Sequence, residues 1–192
     1  MSKIKMFHIS KRLDWQIGDT LTCGKDFNPF WNTCASFDPK ISLSGEQMTF
    51  FELFDRCSVI KPTEENVNAL YKNLKTISKE CAFYIREQVF EDIRRTYYPD
   101  KPSRQTCLWV CEADQLPYWK TMATDVERNL LTLDLEGDLF CGDDHWLTAD
   151  SFSSIEYAKR AHHYWAGEMS SKPRKEYLFH GTAVVSCIEV FH

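Results

Sequence analysis

From Thr63 to Pro99 this 192-residue chain follows local folding rules more strictly than anywhere else, and that block limits what its flanks can form. Thr63 is a helix N-cap residue, and Glu64 and Glu65 suit the positive end of the helix it would start. Val67, Leu70, Tyr71, Leu74 and Ile77 keep helical spacing. Ala82, Ile85, Val89, Ile93 and Tyr97 form a second apolar stripe that stops before Pro99. The spacing predicts two helices or one broken helix.

Both flanks read as β-rich. IKMFHIS (4–10) is a first strand and IGDTLTCG (17–24) a turn-flanked second piece. After the helical block, KPSRQTCLWVCEAD (101–114) is a turn and then a strand centred on Cys107–Cys111. Residues 115–124 form a short helix candidate. In 128–147 the alternation of Leu131, Leu133 and Leu135 predicts a strand followed by a Gly-Asp turn. Residues 153–167 form a further helix with Ile155, Ala158, His162 and Trp165 on one face. Residues 176–190 read as two strands joined near Gly181. Strands at both ends with helices grouped between them predict an α+β fold with a mainly antiparallel sheet, one domain over 1–192. Residues 25–62 keep no period and carry Pro29, Pro39 and Pro62, so a long ordered loop or lid is expected there.

Composition removes several classes of function. With 43% hydrophobic and 27% charged residues the chain is not wholly disordered. A net charge of −5 argues against a protein that coats nucleic acid, although a local basic site is compatible with it. The amino-terminal MSKIKMFHISKR interleaves charges with its apolar residues. No apolar run approaches the roughly 18 residues of a membrane span, so a cytoplasmic protein without a membrane partner is expected. The 8 cysteines form no C-x-x-C pair and read as reduced thiols. Cys107 and Cys111 would share one side of a strand but lie too far apart to hold a tetrahedral zinc alone. His162 and His163 diverge by about 100° on a helix, so with Asp143, Asp144 and His145 they read as a solvated face rather than a metal cluster.

No P-loop, G-x-G-x-x-G, H-E-x-x-H or G-x-S-x-G pattern is present, and 7 glycines leave little for a phosphate-cradling loop. Three segments instead carry chemistry: Phe7-His8-Ile9-Ser10 on the opening strand, Leu108-Trp109-Val110-Cys111-Glu112 after the helical block, and Glu176-Tyr177-Leu178-Phe179 opening a late strand. In order and spacing they resemble the ADP-ribosyltransferase superfamily in its His–Tyr–Glu branch, which includes diphtheria-toxin-like enzymes and poly(ADP-ribose) polymerases. The whole chain is similar to small bacterial members of it.

The resemblance implies a split antiparallel sheet and NAD as substrate. His8 stands for the motif His and Glu176 for the motif Glu. Trp109 stands where the pattern has Tyr, and an indole stacks on nicotinamide but lacks the phenol hydroxyl. Either Trp109 stacks, or Tyr118 takes that role, or the site has left catalysis. Ser10 would support the nicotinamide or its loop. Arg104 would bind an NAD phosphate, or else pair with Glu112 or Asp114 on the surface. His8 and Trp109 also have plain structural readings, as a hydrogen-bonded strand histidine and a core aromatic, and Glu176 as a strand-edge charge.

The implied activity is transfer of ADP-ribose to a protein or nucleic acid, as a toxin with an antitoxin partner or as a phage-defence effector. NAD glycohydrolysis is the near variant. A catalytically inactive interaction module of the same fold is the alternative. For a nucleic-acid acceptor, Lys159, Arg160, Lys172, Arg174 and Lys175 would supply charge, and Tyr157, Tyr164 and Trp165 stacking surfaces. Trp15, Phe27, Phe30 and Trp31 would line the adenine or substrate side if the 25–62 segment closes.

Overall fold

In a computed structural model, which describes residues 4–38, 40–43, 45–56, 63–122 and 126–191, the helical block is one unbroken helix of 34 residues, α3 (Glu64–Tyr97). Nothing between its two apolar stripes breaks it, since neither Gly nor Pro occurs there. Thr63 caps it by accepting from the Asn66 amide. The amino-terminal stripe is used only in part: Val67 and Tyr71 are exposed, while Ile77 is buried.

Before α3 come β1 (Ile4–Ser10), β2 (Thr20–Cys23), α1 (Pro29–Ala35), β3 (Lys40–Leu43), β4 (Glu46–Thr49) and α2 (Phe50–Arg56). The expected loop over 25–62 thus holds four short elements; residues 39, 44 and 57–62 lie outside the described ones. Ile41, Met48, Leu53 and Ile77 form a small core of their own. After α3 follow β5 (Leu108–Val110), α4 (Leu116–Thr121), β6 (Arg128–Asp143), α5 (Ser154–Trp165) and β7 (Lys175–Phe191). The fold is α+β, and every strand pairing is antiparallel.

The two glycine signals read as turns are bends inside long strands. Residues 128–143 are one strand and 175–191 another, paired along their whole lengths, with Gly137 opposite Gly181. Both have positive φ, 150° and 142°. A Cβ on Gly137 would lie 2.1 Å from the His180 carbonyl, and one on Gly181 2.3 Å from that of Glu136. A reversal and a paired bend ask the same backbone freedom of glycine, which is why the sequence reads as either.

Sheet order is β1-β6-β7-β2, with β5 on the same edge of β7 as β2 but nearer its start. β1 pairs with the leading half of β6, up to Leu135, and β5 with Tyr177–Phe179 of β7. Yet Phe7 of β1 and Cys111, just past β5, exchange both backbone bonds, at 2.9 and 2.8 Å. The sheet therefore curls until its outer strands meet.

Alternation sends Leu178 and Phe179 to different cores. Leu178 joins Phe90, Phe140, Tyr157, Ala161, Tyr164 and Trp165 under the helices, and Phe179 joins Met6, Leu131, Leu133 and Val185. The face expected on the 153–167 helix is displaced. Tyr157, Ala161, Tyr164 and Trp165 are fully buried, whereas Ile155 is exposed.

Candidate functional site

Where β1 meets β5, a cleft of about 250 Å³ opens. His8, Trp109 and Glu176, each on a different strand, all line it, together with Phe7, Trp119, Met122 and Arg128. Its wall is mostly apolar. His8 is held by its Nδ1, which donates to the Trp109 carbonyl at 2.8 Å. Because a carbonyl only accepts, the neutral ring carries its proton on Nδ1 and offers a lone pair at Nε2. Burial pushes the His8 pKa down and outweighs that bond, so the neutral form dominates at neutral pH. The Trp109 ring is braced edge-on by Phe30, with centroids 5.6 Å apart.

Glu176 is the second residue of β7, and contacts from three side chains fix that start. The Asp143 carboxylate, fully buried, accepts from the backbone amides of His145, Ser170 and Arg174. Gln115 accepts from the Lys175 amide, and Trp119 donates its indole N–H to the Lys175 carbonyl at 3.0 Å. The Glu176 side chain is buried in an ion network. Its Oε1 accepts from Arg104 Nη1 and, at 2.5 Å, from the Tyr164 hydroxyl. Arg104 also grips Glu87 of α3 through Nε (3.0 Å) and Nη2 (3.2 Å), and Glu87 in turn holds Arg86.

Two guanidinium groups thus face two carboxylates, unevenly shared. Burial pushes both carboxyls up, but Glu87 has two cations and ends below the usual range. Glu176 has only Arg104 and Tyr164 against its burial and stays raised. Among the described residues, only Asn129 Oδ1 and Asp134 Oδ1 are buried side-chain polar atoms lacking a hydrogen bond. The Arg104 and Tyr164 bonds both fall on Oε1, and Glu176 itself lines the cleft.

The other residues singled out in the sequence fall elsewhere. Ser10 is buried and its Oγ accepts from the Trp15 indole N–H at 2.9 Å, fastening the segment after β1 rather than facing the cleft. Arg104 is neither on the surface nor paired with Glu112 or Asp114; its guanidinium sits in the network just described. Tyr118 donates its hydroxyl to Asp144 at 2.8 Å, and its neighbour Trp119 supplies the ring to the cleft. Trp31 is buried against Tyr84.

The basic segment does not form a stacking platform. Tyr157, Tyr164 and Trp165 are fully buried, and Arg160, Arg174 and Lys175 are paired with Asp150, Asp144 and Glu112. Burial keeps the thiols protonated, with Cys111 pushed up to about 12, so neither it nor Cys107 is a nucleophile at neutral pH. No helix among the described residues is long and apolar enough to cross a membrane.

Glu87 and Trp119 are not among the residues that the sequence singles out, and Tyr164 is there only as a stacking surface. Most of their partners lie 12 to 60 positions away, beyond local patterns, although a Trp beside Tyr118 in a short helix is a visible hint. Residues 6–190 match the family model described as a protein of unknown function, DUF2441. No curated protein matches the chain.

Proposed function

We propose that this chain, which belongs to the DUF2441 family, cleaves the nicotinamide–ribose bond of NAD and transfers the ADP-ribose to a macromolecular acceptor, as ADP-ribosyltransferases do. The observation that carries this reading is the convergence of His8, Trp109 and Glu176 on one apolar-walled cleft. At about 250 Å³ the cleft is smaller than most sites for drug-sized ligands. It suits the nicotinamide–ribose end of the dinucleotide, with the adenosine end reaching outward.

In this reaction the C1′–N bond breaks, its electron pair leaves with nicotinamide, and the ribose gains oxocarbenium character. Glu176, ionised, accepts the ribose 2′-hydroxyl at Oε2 and stabilises the positive charge developing beside it. The Trp109 indole holds the nicotinamide ring, and Nε2 of His8 accepts from the adenosine-side ribose. A nucleophile on the acceptor, protein or nucleic acid, then bonds to C1′ and loses its proton to solvent. With water as nucleophile the same site is an NAD glycohydrolase.

A non-catalytic interaction module is the second reading, favoured by the ion pair that covers Oε1 of Glu176. Labelled NAD separates the two. The wild-type chain should release nicotinamide and melt at a higher temperature with NAD present. Glu176→Gln should lose about 100- to 1000-fold in turnover while still melting cooperatively. Unchanged turnover in that variant removes Glu176 from the mechanism. A wild-type chain that neither turns NAD over nor is stabilised by it overturns the reading.

A further inference from the structure

Across β6 from Glu176 lies Gly142, its register partner. A methyl group there would sit 2.4 Å from the Tyr164 ring, with the Tyr164 hydroxyl 2.9 Å away. No non-bonded carbon atoms approach so closely. The absent side chain is what lets Tyr164 of α5 lie across β6 and bring its hydroxyl to Glu176. The ring has no freedom to leave, being packed by Phe90, Phe140 and Trp165 at centroid distances of 5.6, 5.5 and 4.8 Å. Arg104 is fixed as firmly: Asn28, which caps α1, donates to the Arg104 carbonyl at 2.7 Å and to that of Cys107 at 3.2 Å.

We propose that Arg104 and Tyr164 are positioning residues for Glu176, clamping Oε1 so that Oε2 is presented to the cleft, and that Glu87 sets how strongly Arg104 takes part. The proposal rests on the NAD-cleaving reading for its catalytic meaning. Trp109 lacks a phenol hydroxyl, and Tyr164 brings one to the carboxylate from the helix side instead.

The clamp also sets the ionisation of Glu176. Facing the carboxyl are Arg104, Tyr164 of α5, and Glu87 of α3 with Arg86 behind it. Asp144 after β6, Tyr118 of α4, Cys107 before β5 and Cys141 on β6 complete that side. His8 and Arg128 line the cleft in front of it. Burial favours the protonated form, and the Arg104 and Tyr164 bonds favour the ionised one. Glu87 works against ionisation, because its charge lies nearby and draws on the same guanidinium. Removing the Tyr164 hydroxyl and removing the Glu87 charge should therefore move Glu176 in opposite directions.

The test is 13C NMR titration of protein labelled at the glutamate side-chain carboxyls, with the Glu176 signal assigned by Glu176→Gln. In Tyr164→Phe the midpoint should rise by about one pH unit, the worth of one hydrogen bond to a charge. Gly142→Ala, which leaves every titratable group in place but displaces the phenol, should move it the same way. Glu87→Gln should lower it. In NAD turnover the acid limb of kcat should follow the same shifts, with KM changed less than kcat. A midpoint that stays put in Tyr164→Phe and Gly142→Ala, or that rises in Glu87→Gln, overturns the proposal. If the titrations shift as stated while wild-type protein never cleaves NAD, the clamp stands and the NAD reading alone falls.

Discussion

The Nδ1 of His8 lies 2.8 Å from the carbonyl oxygen of Trp109, so one hydrogen bond ties together two of the three residues that face each other across the cleft. It also fixes what acid does to this protein. Burial depresses the His8 pKa below its ordinary 6.5, and burial does the same to His180. A group with a depressed folded pKa gives stability that is present above the unfolded value and is lost as pH falls toward the folded one. Stability should thus drop below about pH 6.5. His8→Asn keeps a donor for the Trp109 carbonyl and cannot titrate, so its urea midpoint should fall less between pH 7 and 5 than that of the wild type. Parallel curves for the two proteins would mean that His8 takes up its proton equally readily folded and unfolded, so that burial does not depress it.

Gly137 and Gly181 pair across β6 and β7 with their backbones in close contact, and neither has room for a side chain. Alanine at Gly181 combines a strained φ with a Cβ 2.3 Å from a backbone oxygen that side-chain motion cannot relieve. Strain of this kind and the clash together should cost about 3 kcal/mol or more. Urea unfolding of Gly181→Ala measures it. Gly18→Ala, also at positive φ but with nothing within 4 Å of the added carbon, should cost only the backbone term. Equal losses at the two positions would mean that the crossing is looser than the distances indicate.

Much of the frame was legible from local signals. Thr63 and Pro99 bracket α3 because a cap and a proline act within one turn, and the alternation of Leu131, Leu133 and Leu135 marks β6 because strand burial has period two. The three motif segments fall on β1, β5 and the start of β7. What stayed hidden was long-range or degenerate. A paired glycine bend and a turn make the same demand on φ, so Gly137 and Gly181 read as reversals. On α5, Tyr, Trp and His all count as half-apolar, which blurred the phase of the buried face. Arg104 and Glu176 meet across 72 residues, and nothing within either segment announces the other.

Asp143 should matter more than its distance from the cleft implies. Its carboxylate accepts three backbone N–H groups with no exposure to solvent, and these outweigh the upward push of burial to hold its pKa below the usual value. An amide in its place would turn donors toward donors. Asp143→Asn should cost about 3 kcal/mol at pH 7. A carboxyl with a depressed folded pKa contributes stability above its unfolded value, near 3.8, and loses it as pH falls through the folded one. The gap between mutant and wild type should close below about pH 4. A gap that is constant from pH 7 to 3 would mean that shape, not charge, is what Asp143 provides.

Trp119 should decide how tightly the cleft holds a flat ring. Its indole lines the cleft while its N–H is anchored on the Lys175 carbonyl, which holds the ring beside the start of β7. Stacking of a base on an aromatic side chain is worth about 1–3 kcal/mol. Trp119→Ala should therefore raise KM for NAD by about tenfold, since 1.4 kcal/mol corresponds to one factor of ten. Trp119→Phe keeps a ring without the anchor and should fall between the two. Tyr118, whose hydroxyl is committed to Asp144, turns its chemistry away from the cleft, and Tyr118→Phe should leave KM within about twofold. The reverse ranking, with Tyr118→Phe the more damaging, would move the ring-binding wall to the other face of α4 and with it the pose assigned to nicotinamide.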